Sequence, residues 1–84
     1  MRALVRAKWY VMTMHADEEM YDDGLTILDV ERAILTGQIV ERQRDQPREW
    51  KYLVRGTSFE KAPICVVAKI GPTEKLVIIT VFRT

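Results

Sequence analysis

Apolar side chains recur along this chain with two different periods, and the change falls near residue 38. Before it, the spacing is helical. Residues 3–12 mix Leu4, Val5, Trp9, Tyr10 and Val11, which reads as a short helix running into an extended piece. Residues 14–22 hold no β-branched side chain and are rich in Ala, Glu and Met, a composition that favours helix. Gly24 follows, where a left-handed cap would end that helix. Thr26 and Asp29 make a Thr-x-x-Asp capping pattern, and Ile27, Val30, Ala33 and Ile34 repeat at helical spacing up to Gly37.

After residue 38 the period is about two. Residues 38–44 alternate Ile39, Glu41 and Gln43 against Val40, Arg42 and Arg44. Pro47 marks a polar turn, and Trp50, Tyr52 and Val54 then alternate with Lys51, Leu53 and Arg55. Residues 56–63 read as a loop. Residues 64–70 and 76–82 are apolar and β-branched, joined across Gly71-Pro72-Thr73. Connections this short favour an antiparallel meander, because a parallel pair needs a crossover of about a dozen residues or more. The last two strands are apolar on both faces and belong at the sheet centre, with the helices covering one face. The expectation is an α+β fold, N-terminal helices on a four-stranded antiparallel sheet.

Composition narrows the setting. Eighty-four residues allow one domain, residues 1–84, with one modest core. The 48% hydrophobic and 30% charged content is ordinary for a globular chain. No apolar run approaches the roughly 20 residues of a membrane span, and residues 1–14 lack a signal-peptide pattern. Cys65 is the single cysteine, so neither an internal disulfide nor a multi-cysteine zinc site is available. A cytoplasmic location with no membrane contact is expected. The net charge of +1 hides an asymmetry: residues 1–42 carry five Lys/Arg against eight Asp/Glu, and residues 43–84 carry eight against four. A basic half suits phosphate contact, although a solvated surface with internal pairing gives the same split.

Two groups of residues offer chemistry. His15 is the only histidine, and its imidazole is the one side chain whose ordinary pKa lies near neutrality. Asp17, Glu18, Glu19 and Asp22 surround it in sequence and can orient the ring, as a general base requires; capping a helix start would equally explain the histidine. Lys51, Tyr52, Arg55, Lys69, Thr80 and Arg83 form the second group, on the predicted strands. Cations beside an imidazole can hold a scissile phosphate. RNA needs little more for metal-free cleavage, because its own 2′-hydroxyl is the nucleophile. The same charges also keep edge strands soluble. Trp9 and Trp50 read as packing residues and Cys65 as a small buried hydrophobe. The ligand set is too thin for a metal, and no cofactor motif occurs.

The pattern Tyr10-Val11-x-Thr13-x-His15-Ala16-x-x-Glu19-Met20, followed by Asp23-Gly24-Leu25-Thr26-x-x-Asp29-Val30, Lys51-Tyr52-x-Val54-x-Gly56 and the closing residues 76–83, resembles a widespread bacterial family of domains of unknown function. Its members look like the toxin half of type II toxin–antitoxin pairs, often encoded beside a zinc-finger antitoxin of the MqsA type. The resemblance implies a RelE/barnase-like fold and a metal-independent endoribonuclease, with RNA and a cognate antitoxin as partners and no cofactor. It places the family histidine on His15, the associated acid on Glu19, the polar residue of the final strand on Thr80 and the following cation on Arg83, with Arg55 as a second phosphate ligand. Lys51, Tyr52 and Lys69 are the expected RNA contacts. Many relatives have tyrosine at Phe82, and the missing phenol removes one candidate acid. The alternative is a non-catalytic module that binds protein or RNA on the same sheet.

Overall fold

The structure, a computed structural model, describes residues 1–47, 49–71 and 73–84; Arg48, Pro72 and the side chains of Asp45 and Gln46 lie outside the described residues. Pro72 of the expected turn is therefore not described. Among the described residues the chain forms α1 (Arg2–Arg6), β1 (Tyr10–Met12), α2 (Met14–Asp22), α3 (Ile27–Thr36), β2 (Gln38–Gln46), β3 (Glu49–Thr57), β4 (Pro63–Ile70) and β5 (Leu76–Arg83). One sheet runs in the order β1-β5-β4-β3-β2. β2 to β5 form the expected antiparallel meander, and the last two strands are interior. The sheet nevertheless has five strands and is mixed, because β1 joins β5 in parallel. Three residues carry no readable period, and two helices plus the whole meander provide the long connection that a parallel pair requires.

Local chemistry explains the helices. The Thr13 hydroxyl accepts from Ala16 N–H at 3.1 Å and caps α2. Gly24 takes φ 67°, with Gly24 N–H bonded to Tyr21 O and Leu25 N–H to Met20 O, so α2 closes in a Schellman motif. Thr26 and Asp29 form a reciprocal capping box on α3. Gly37 and Gly56 mark where α3 presses on β3. A Cβ on Gly56 would lie 2.7 Å from the Ala33 Cα, and one on Gly37 2.4 Å from the Arg55 carbonyl oxygen. β3 accordingly continues through Gly56 to Thr57, where a loop was expected.

All three helices pack on one face of the sheet. Val5, Ala16, Leu25, Val30, Ala33 and Ile34 meet Val54, Ile64, Val66, Ala68, Leu76, Ile78 and Val81 in one buried cluster. Two bulges decide what the other face shows. On β2 the extra residue is Val40, so Ile39 shares the helix side with Arg42 and Arg44, while Glu41 and Gln43 point away. This corrects the simple alternation expected for residues 38–44. On β5 the extra residue is Ile79: Val67 pairs with Thr80 and Ala68 with Ile78. Without that bulge Thr80 would follow Leu76 and Ile78 into the core. With it, Thr80 and Phe82 face away from the helices.

Candidate functional site

The helix-free face carries half of the sequence-predicted site residues: Lys51, Arg55, Lys69 and Thr80. Reading across strands, Gln38, Arg55, Cys65 and Phe82 form one row. Glu41, Leu53, Val67 and Thr80 form the next, and Gln43, Lys51, Lys69 and Val77 the third. A shallow concavity of about 400 Å³ is lined by Glu41, Gln43, Lys51, Tyr52, Leu53, Val67, Ile79, Thr80 and Phe82. Its floor is apolar, and Lys51, Lys69 and Arg55 lie around it. Lys69 pairs with Glu49 at 3.7 Å. Tyr52 touches the concavity but stands on the helix side by register, between Arg42 and Ala68. Cys65 is buried, as expected.

Glu19 reaches the outer edge of β5, and His15 lies beside it. β1 covers β5 only over residues 76–78, and beyond it α2 takes the place of a neighbouring strand. Thr13 Oγ1 donates to Ile79 O at 3.1 Å, Val81 N–H donates to Glu19 Oε1 at 3.3 Å, and Arg83 N–H donates to Asp23 Oδ2 at 3.1 Å. Ala16, Glu19, Met20 and Asp23 fall on one helical face, which is why a single helix can satisfy successive groups of β5. The same Glu19 Oε1 lies 3.2 Å from His15 Nε2. One carboxylate oxygen thus links the imidazole to the amide that follows Thr80. The His15 side chain is 67% exposed, so this pair contributes little to stability.

Arg83 does not join this group. Its Nε donates to the Asp23 carbonyl at 2.8 Å, and by register it shares the helix side with Ile64 and Val81. Arg55 pairs with Cys65, whose partner on β5 is Phe82, so the two arginines occupy opposite faces. The structure therefore overturns a phosphate site built on both. It brings together Lys51, Lys69, Arg55 and Thr80 on one face, sets Glu19 at the outer edge of β5 with His15 beside it, and leaves out Arg83. Trp9 is 53% exposed with the Lys75 ammonium over its ring, so it is not the packing residue expected.

Asp29 and Glu31 are buried carboxylates; the sequence marked Asp29 as a cap, but not its bond to Phe59 or the role of Glu31. Glu31 accepts from Lys8 Nζ at 2.7 Å and from the Tyr10 hydroxyl. The Lys8 and Tyr10 hydrogen bonds hold it below the ordinary glutamate value against the upward push of burial, with the Lys8 charge adding to them. Burial, the bond to Glu31 and its charge push the Tyr10 phenol up to about 12. Asp29 accepts from Thr26 N–H and Phe59 N–H, each at 2.9 Å, and so ties the residues after β3 to α3. Burial raises its pKa, but the hydrogen bonds from Phe59 and Thr26 and the Arg83 charge outweigh it, so the net shift is downward. A helical signal for Glu31 existed: with Ile27 and Ile34 it falls at i, i+4, i+7.

Among the described residues, no three His, Cys, Asp or Glu side chains converge as metal ligands, and no helix is long and apolar enough to cross a membrane. Fold and site together define a small α+β domain whose mixed sheet is covered by helices on one side only. Residues 12–83 match the model of the domain of unknown function DUF4258, and the chain belongs to that family. No curated protein and no solved structure gives a significant match.

Proposed function

We propose that this protein is a cytoplasmic RNA-binding module of the toxin type, with a RelE/barnase-like sheet whose helix-free face receives single-stranded RNA. The observation that supports this most is the row structure of that face: Lys51, Lys69 and Arg55 beside the apolar floor of Leu53, Val67 and Phe82. Cations track phosphates, and an aromatic ring offers a sequence-tolerant stacking surface. Phe82, lacking a hydroxyl, keeps that stacking role.

Metal-independent cleavage is the second reading, favoured by the Glu19 oxygen that links His15 to the strand segment bearing Thr80. His15 would take the 2′-hydroxyl proton, Glu19 would hold the ring, and Arg55 would reach the phosphate from across the face. A cognate antitoxin would cover the same face with acidic side chains. The test is single-stranded RNA in EDTA, with binding followed by fluorescence anisotropy and cleavage on a gel. Salt-sensitive binding without cleavage supports the module. Cleavage lost in His15→Ala with binding retained supports the enzyme. Absence of binding overturns both.

A further inference from the structure

β2 is one of the two edge strands of the sheet, and its second edge pairs with no strand among the described residues. Gln38 to Arg44 are all exposed, including Ile39 at 54%. Between the register shifts at Ile39/Glu41 and Arg44/Gln46, the stretch from Glu41 to Arg44 is regular strand. On its helix-side surface Arg42 and Arg44 both lie over the Trp50 ring, 4.6 and 4.9 Å from its centroid. We propose that this edge accepts an extended acidic segment of a partner protein, which adds a strand to β2 with carboxylates facing Arg42 and Arg44.

Charge and register select that occupant. A directly opposed residue in an antiparallel pair points to the same face, so a second copy of β2 can pair only in registers that keep the pleat in phase. A two-fold axis at Arg42 sets Arg42 against itself, and one at Gln43 sets Arg42 against Arg44. An axis at Glu41 opposes two carboxylates. Each of these registers therefore places like charges opposite one another, which destabilises pairing. An incoming strand with Glu or Asp at alternate positions meets both guanidinium groups. Stacking on Trp50 already limits their motion, so less freedom is lost when carboxylates bind. Trp and Arg side by side are also the residue types in which interface energy concentrates. The surface lies on the opposite side of the sheet from the RNA platform, and the inference stands without it.

The probe is a peptide of about ten residues, blocked at both ends, in which Glu alternates with Val and Thr; a second peptide has Lys at each Glu. Each is titrated into the ¹⁵N-labelled full chain, with a single-stranded RNA in a parallel arm. The Glu peptide should shift and protect β2 amides and bind about tenfold more tightly than the Lys peptide, a difference of about 1.4 kcal/mol. The R42E/R44E double variant, altered only at exposed positions, should reverse the preference. Equal binding of the two peptides, or peptide shifts confined to other elements, overturns the proposal. So does RNA shifting these β2 amides in place of the Glu peptide.

Discussion

Replacing Asp29 by alanine removes a carboxylate that fastens α3 to the residues after β3. Its carboxylate accepts three hydrogen bonds: Thr26 N–H at 2.9 Å, the Thr26 hydroxyl at 3.2 Å and Phe59 N–H at 2.9 Å. A hydrogen bond to a charged group is worth about 1.5–3 kcal/mol, but water can reach donors at a helix start and in a loop. Phe59 is 61% exposed, and the bond from its N–H to Asp29 is only partly buried. The expected loss is about 2–3 kcal/mol, above the ~1 kcal/mol of an ordinary cap. For a domain this size that lowers Tm by about 10–20 °C. Asp29→Asn keeps one acceptor oxygen and should lose about half as much. Urea unfolding followed by tryptophan fluorescence measures both, and exposed Glu60→Ala should stay within about 0.5 kcal/mol of the parent. A loss below that threshold for D29A, or equal losses for alanine and asparagine, would refute the hydrogen-bond reasoning.

Gly56→Ala should cost about 1–3 kcal/mol in the same assay, because the added Cβ meets α3 backbone and not a flexible side-chain end. Asp29 and Glu31 both have depressed folded-state pKa values, so each contributes stability that is present above the ordinary carboxylate value near about 4 and is lost as pH falls through the lower folded value. The acid side of the urea midpoint against pH should therefore flatten in D29N/E31Q. Tyr10 is shifted the other way, from 10.0 to about 12, so its contribution is complete below pH 10 and lost as pH rises through the folded value. In the folded protein, absorbance near 295 nm should show one phenol ionising later than in the unfolded chain.

What the sequence made legible was local chemistry. The Thr26–Asp29 box, the left-handed Gly24 and the change of period are each written within a few residues, and α2, α3 and the meander follow from them. Pairings across the chain were not legible. β1 is too short to show a period, and its partner β5 lies near the other end of the sequence. The bulges at Val40 and Ile79 show only once the strands are paired, yet they decide that Thr80 leaves the core and that Arg42 joins Ile39. Arg55 and Arg83 looked compatible with one surface because strand register is invisible before pairing. Glu19 looked like a helper of His15; in the fold it also satisfies a backbone group of β5, as Thr13 and Asp23 do.

The opposite placement of the two arginines gives the most direct test of the RNA-binding face. The measurement is the affinity of a single-stranded RNA for Arg55→Ala and Arg83→Ala, each followed across a salt series. The account predicts that Arg55→Ala weakens binding several-fold and reduces the salt slope by about 1, the signature of one lost phosphate contact. Arg83→Ala should leave affinity and slope unchanged, since its side chain is engaged with Asp23 on the helix side. Equal effects of the two substitutions, or an effect of Arg83→Ala alone, would contradict the assignment of the helix-free face.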